Sequence, residues 1–514
     1  MLQTDPPRAP SDLRGGARDL PRPPARLATY LICSFAIVCS TVFRQFTSNQ
    51  QTYLARAVAT EKFPDALGSD WFVTTTDPVP AFTTLSVHLL RLGDGALTVV
   101  NVAIGVLFLV ALCALSGAMN RRGRAVALVT PALVGICWLA GGILHRQLFD
   151  GLAEQRAYSP YWQPSNAGVL LLAAIWLAFS NSILWAVVVA GVAAWIHPTY
   201  VFSALVFDAG VCASIVYIER NYRRAALVAL LGFACILPPV IFALTEFSAT
   251  SAAAAHEAAR VLVEERLPHH ARFSHWAGWV SLAHCVPVVC ACIITSGKRR
   301  MMLVAWFTIA ATATVVVACL NRAQFELLFP WRCSVWLMPV GAAICLGAVL
   351  SSLSNRSSRR AASYLVLTSS LVILSVLGWV SVNRAPPAED FRGVQLARTI
   401  DIEQRREWTA LVPVDWEGLR LNAPLAVFVD FKSHPYKDIE VLEWQRRLSR
   451  ARAVYDGAPQ RACEALANLI GAEPRLGYVL APVTTTLGAC PDLRQKKRDD
   501  EGVLFEIIGR TAAR

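Results

Sequence analysis

Carboxylates able to move a proton, guanidinium groups able to hold a phosphate and histidines able to do either lie in a few polar stretches between long apolar runs. Asp70 stands between Ser69 and Trp71, just after a helical stretch. A carboxylate partly withdrawn from water beside an indole can reach a pKa suited to general-base work. Its plainer role is to cap a helix or close a turn, and Asp77 before Pro78 reads as a turn initiator. Arg146, Arg322 and Arg332 sit at ends of apolar runs, where a guanidinium can grip a phosphate in two-pronged fashion or simply snorkel to lipid headgroups. His197-Pro198 ends an apolar run, and His269-His270 follows Pro268. Histidine with Asp and Glu could assemble a divalent-metal site, but no HExxH or comparable spacing is present, so a divalent metal stays open and its ligands unknown. A last polar cluster, Asp430-Phe431-Lys432-Ser433-His434-Pro435-Tyr436-Lys437-Asp438, follows a strand-like run. Such a position suits a ligand loop, or a turn with a helix cap. No GxGxxG, P-loop or GxSxG accompanies it.

These residues are positioned by an α-helical membrane bundle carrying a C-terminal extracytoplasmic α/β domain. A spanning helix needs about 20 mostly apolar residues, because lipid cannot hydrogen-bond an exposed backbone. The expected spans, eleven of them, are 28–43, 96–117, 125–144, 166–179, 182–196, 198–218, 225–244, 277–296, 301–320, 333–352 and 362–382. Basic clusters at Arg121-Arg122-Arg124, Arg220-Arg223-Arg224, Lys298-Arg299-Arg300 and Arg356-Arg359-Arg360 fall on the same side as an Arg-rich leader. The positive-inside rule makes that side cytoplasmic and puts the tail outside, which describes a multi-pass protein of a bacterial inner membrane. An apolar content of 55% with 16% charge and a mean hydropathy of +0.45 is too greasy for one soluble core. The net charge of +12 lies largely in those loop arginines, which argues against nucleic acid as a partner and for the bilayer.

Three regions follow: a disordered basic leader (1–27), the bundle (28–383) with a long first external loop (44–95), and the soluble domain (384–514). The first loop contains an amphipathic stripe, Phe82, Leu85, Leu89 and Leu92, suited to the membrane interface. The tail alternates a helix near 392–409, strands at 411–413 and 425–430, helices at 438–454 and 458–471, and strands at 476–480 and 503–508, a partly parallel layered unit. Twelve of the fourteen cysteines lie in or beside spans, where they act as small apolar residues. Cys463 and Cys490 are left in the tail, with or without a disulfide.

Asn49-Gln50-Gln51-Thr52-Tyr53, Ser69-Asp70-Trp71-Phe72, Ile196-His197-Pro198, Arg266-Leu267-Pro268-His269-His270 and Val429-Asp430-Phe431-Lys432-Ser433-His434-Pro435 look like segments of a family of uncharacterised bacterial polytopic membrane proteins. The overall plan resembles the GT-C superfamily of membrane glycosyltransferases, which includes oligosaccharyltransferases, protein O-mannosyltransferases and lipid A aminoarabinose transferases. That resemblance implies transfer of a sugar from a polyprenyl-phosphate donor to an acceptor on the outer face, with inversion. Asp70 would then be the base, and Arg146, Arg322 or Arg332 would hold the lipid phosphate. Asn49, Gln50, Tyr53, His197, His269 and His270 would be further substrate contacts. Where those enzymes carry an acidic residue soon after the first span, this chain reads Asn49-Gln50-Gln51, and its first acidic residue beyond that span is Glu61. A non-catalytic scaffold for envelope polysaccharide assembly and a lipid or solute transporter are the rival expectations. Intramembrane charge is sparse, Asp208 being the main instance, and no internal repeat is evident.

Overall fold

A computed structural model describes residues 23–39, 46–47, 49–118, 124–140, 145–146, 149–354 and 392–510. Among the described residues five helices are long and apolar enough to cross a bilayer: Asp94–Ala118, Pro198–Glu219, Tyr222–Glu246, Gly297–Leu320 and Ala323–Ser352. Five shorter apolar helices accompany them: Leu27–Cys39, Val129–Leu139, Pro164–Phe179, Ile183–Ile196 and Trp279–Ile294. Ten of the expected spans therefore coincide with apolar helices, and within the described residues half of these reach spanning length. The eleventh, 362–382, lies outside the described residues.

Large side chains lock the bundle. Trp306 and Trp336 are fully buried with rings edge to face at 5.6 Å, and Trp306 Nε1 donates to the Phe207 carbonyl at 2.8 Å. Asn181 makes the tight turn between Pro164–Phe179 and Ile183–Ile196 at a φ of 67°, a conformation Asn tolerates better than most residues. At one end Arg299 donates to the carbonyls of Ala118 and Phe179, the last residues of two helices whose carbonyls lack intrahelical partners. Outward-facing Leu230, Phe233, Leu244, Leu282 and Ile293 stay more than half exposed, an apolar surface of the kind a bilayer covers.

The first long loop, 44–95 by sequence, folds where described into short helices against the bundle and the tail. Its amphipathic stripe forms the helix Pro80–Arg91, but Phe82 stacks on Trp162 at 5.0 Å, and Leu89 and Leu90 join the same buried cluster. Half of the stripe, Phe82 and Leu89, thus packs on protein rather than on the membrane surface, while Leu85 and Leu92 remain exposed.

The tail carries a four-stranded sheet of order β1-β2-β4-β3, with β1 Thr409–Leu411, β2 Leu476–Pro482, β3 Leu493–Arg498 and β4 Gly502–Ile507. β1 and β2 are parallel, and the other pairings are antiparallel. Alternation along β2 sends Val479 and Ala481 to the face covered by the helices Asp438–Tyr455 and Pro459–Ala472, and Tyr478 and Leu480 to the opposite core with Trp416. The expected helix at 392–409 is two shorter ones, Val394–Arg398 and Ile402–Glu407. The run 425–430 is not a full strand; it touches β1 through a single bridge, Ala410 to Val427, while the Val427 carbonyl and Asp430 accept from the buried Arg420. β3, unforeseen from sequence, is an edge strand with five of its six residues exposed. A disulfide joins Cys463 and Cys490, whose Cα atoms are 5.2 Å apart.

Candidate functional site

Six stretches far apart in the chain converge on one cavity of about 730 Å³. The first external loop contributes Asn49 and Tyr53, the turn around 150–156 contributes Asp150, Glu154 and Arg156, and the span end at 197–199 contributes His197 and Thr199. Arg266, His269 and His270 come from the segment after the Ala-rich helix, and Lys432, His434 and Tyr436 from the tail. Arg332 stands on a single 3-10 turn, Pro330–Cys333, preceded by Phe329 at a φ of 47°. That turn is pinned by Trp331, whose Nε1 donates to the His270 carbonyl at 2.8 Å.

The cavity is cationic. Arg146, Arg156, Arg266, Arg332 and Lys432 face two carboxylates, Asp150 and Glu154. Asp150 and Arg156 pair with each other at 3.1 Å. Among the described residues the other four cations have no carboxylate partner; the neighbouring ion pairs belong to Arg272 with Glu264 and Glu326. Arg266 is only 8% exposed, yet it donates to neutral groups alone, His434 Nδ1 at 3.1 Å and the Lys432 carbonyl at 3.2 Å. Arg332 likewise donates to His197 Nε2 at 3.1 Å, to Gln155 Oε1 at 3.2 Å and to Thr199 Oγ1. Burying a cation without a counter-charge is costly, so this arrangement suits an anionic ligand.

Histidine chemistry points the same way. An arginine guanidinium always donates, so His197 accepts at Nε2 and carries its proton at Nδ1. His434 Nδ1 also lies 3.0 Å from the Lys432 carbonyl, and among the described residues the second ring nitrogens, His197 Nδ1 and His434 Nε2, are buried and without a partner. Burial, reinforced by Arg332 for His197 and by Arg266 for His434, holds both imidazoles well below their usual pKa. His270 is pushed down to about 4, chiefly by burial, and its Nδ1–H donates to the Ala153 carbonyl at 2.7 Å. Neutral donors beside fixed cations fit a phosphate or another oxyanion. Tyr53 and Tyr436 bring their hydroxyls to 3.5 Å of each other on the same wall, and burial raises Tyr436 well above an ordinary phenol.

Seven of the residues singled out from sequence line this cavity: Asn49, Tyr53, Arg146, His197, His269, His270 and Arg332. Three do not. Gln50 is fully buried and donates to the Trp162 carbonyl at 3.2 Å, fixing the first loop to the turn at 162. Arg322 is exposed at the start of the helix Ala323–Glu326, outside the cavity wall. Asp70 is fully buried and its oxygens are occupied: Oδ1 accepts from the Phe72 and Val73 amides at 2.9 and 3.4 Å, and Oδ2 from Arg420 Nε and the Val427 amide, both at 2.8 Å. Arg420 also donates to Asp430 Oδ2, and Asp430 Oδ1 accepts from the Ser433 amide at 2.6 Å. Asp70 therefore caps a helix and clamps the first loop to the tail, with no lone pair turned toward a substrate. Burial alone would lower the Arg420 pKa; Asp70 and Asp430 outweigh it and hold the guanidinium above its ordinary value.

Sequence reasoning passed over Asp150, Glu154 and Arg156, although Asp150-Gly151 is a turn signal between two apolar runs. Among the described residues, no three of His, Cys, Asp and Glu are grouped to hold a metal ion. The profile of a domain of unknown function, DUF6798, matches residues 394–451. That stretch contains Arg420 and Asp430 of the clamp and Lys432, His434 and Tyr436 of the cavity. No curated protein matches the chain.

Proposed function

We propose that this protein is a GT-C-type membrane glycosyltransferase that takes a sugar from a polyprenyl-phosphate donor and passes it to an acceptor on the extracytoplasmic side. The observation that carries the reading is the set of cavity cations, Arg146, Arg266, Arg332 and Lys432, without an ion-pair partner among the described residues and accompanied by the partnerless buried ring nitrogens of His197 and His434. In the reaction Arg266, Arg332 and Lys432 bind the donor phosphate and stabilise the charge that grows on it as the sugar leaves, an effect strengthened where water is excluded. The apolar helices around the cavity suit a lipid-borne donor, and Tyr53 and Tyr436 suit hydroxyl-rich sugar. The basic loops favour an outward-facing cavity, and a tail disulfide fits an oxidising compartment.

A second reading, a non-catalytic binder of the same lipid-linked phosphate, draws on the engagement of Asp70, the base that the family resemblance would assign. One experiment separates them. A strain lacking the protein is complemented with the wild type or with Arg332→Ala, and its envelope glycans and glycolipids are profiled by mass spectrometry. Transfer predicts one product that disappears on deletion and is not restored by Arg332→Ala at equal membrane level. Accumulation of unchanged donor with no single missing linkage points to the binder, and an unaltered profile after deletion removes both.

A further inference from the structure

The transferase reading needs a group to take the acceptor's proton, and Asp70 is closed to that role. The turn 150–156 offers two carboxylates. Asp150 is buried, ion-paired with Arg156 and part of a backbone bridge with it. Glu154 lines the cavity, is exposed to it, and among the described residues makes no hydrogen bond or ion pair. Its ionisable neighbour is His269 on the same wall.

The backbone holds Glu154 there at a cost. Ala153 and Glu154 are both left-handed, each with φ of 56°, a conformation L-residues avoid singly and rarely adopt in succession. Such geometry persists only where the surroundings over-determine it, and here they do. The Gly151 amide donates to the Gln155 carbonyl at 2.8 Å, and the Leu152 amide to Ser334 Oγ at 2.7 Å. His270 holds the Ala153 carbonyl. A side chain on Gly151 would come within 2.6 Å of Ser334 Oγ and 2.7 Å of the Val335 amide nitrogen, so the turn cannot slide. The next residue, Gln155, accepts from Arg332, which ties the turn to the cationic end of the cavity.

From this geometry we propose that Glu154 is the general base, resting on the transferase reading above. The acceptor hydroxyl gives its proton to the Glu154 carboxylate as its oxygen bonds to the anomeric carbon. The bond from that carbon to the phosphate oxygen breaks, and its electron pair leaves with the lipid phosphate facing Arg266, Arg332 and Lys432. Charge and atoms balance without any co-reactant.

The test compares wild type, E154Q and E154D in the complemented deletion strain, with farnesyl phosphate binding measured on each purified full-length protein. E154Q should lower the product at least about 100-fold, the usual scale of a lost general base, while farnesyl phosphate affinity stays within about twofold. E154D, which keeps a carboxylate, should retain a measurable fraction. Wild-type product levels in E154Q overturn the assignment. So does an equal loss of product in E154Q and E154D with farnesyl phosphate binding gone, which would mark a structural residue. If wild type restores no product yet binds farnesyl phosphate, the transferase reading itself fails and the base falls with it.

Discussion

Two charged clusters lie close together where the tail meets the bundle, and they are built on opposite principles. In the clamp, Arg420 is enclosed between Asp70 and Asp430, all three almost wholly buried, and the carboxylate oxygens are further taken up by backbone amides. In the cavity, Arg266 and Arg332 meet only neutral acceptors, and Lys432 and Arg146 have no ion-pair partner among the described residues. The clamp is electrically complete and holds the tail against the first loop. The cavity is electrically incomplete and suited to an anionic ligand. Removing a cation should therefore damage the two clusters in different currencies, stability in one and binding in the other.

The largest expected effect is at Arg420. Arg420→Ala strands two buried carboxylates and should cost about 3–5 kcal/mol of stability, read as a lowered melting temperature and early proteolysis of the tail. An unshifted melting temperature would erase the distinction between the clusters. Next, Arg266→Ala should leave the melting temperature unchanged or slightly raised, since a poorly compensated buried charge is gone. The same change should weaken farnesyl phosphate binding about 10- to 100-fold, the scale of one charge-assisted hydrogen bond; calorimetry on the detergent-solubilised protein reads both. Smaller still, Asp70→Asn should cost about 1–3 kcal/mol and leave farnesyl phosphate affinity unaltered, whereas an abolished product at full stability would return Asp70 to the chemistry.

The pH dependence sharpens the same contrast. His270 titrates near 4 in the folded protein against an ordinary 6.5. Between those values the unfolded chain binds a proton that the native ring refuses, so stability is full above about 6.5 and falls as pH drops toward about 4. His270→Gln should flatten that slope by up to about 1.4 kcal/mol per pH unit, measured by denaturation at several pH values. An identical slope in the variant would show that His270 does not carry the protons.

How far sequence reached can be judged from particular residues. The bundle was legible because apolar runs and basic loops are local signals, and helices lie where ten of the eleven runs stand. Spanning length was less secure: Ile183–Ile196 is apolar throughout but ends at His197, so its hydropathy says helix without saying how deep it lies. Asp70 misled because its chemistry is set by Arg420, 350 residues away, and no local pattern announces that meeting. The run 425–430 looked the best strand because Val427, Phe428 and Val429 are buried, yet they are buried in the two cores of the tail, Phe428 and Val429 with Trp444 and Val427 with Trp416, with only one bridge to β1. β3 escaped because its Arg494-Gln495-Lys496-Lys497-Arg498 stretch is an exposed edge, where charge blocks further pairing instead of marking a strand. Glu154 was missed for a related reason: its importance lies in a left-handed backbone that neighbours impose, and nothing in its own residue type records that.

The central claim is that the cavity's unpaired cations hold a phosphate. It is tested most directly by comparing thermal stabilisation of the purified protein by farnesyl phosphate and by farnesol, which share a chain and differ only in the anion. Farnesyl phosphate should raise the melting temperature of wild type and leave the Arg266→Ala, Arg332→Ala double variant unmoved, with farnesol inert toward both. Equal stabilisation by the two ligands, or a phosphate effect that survives in the double variant, would contradict it.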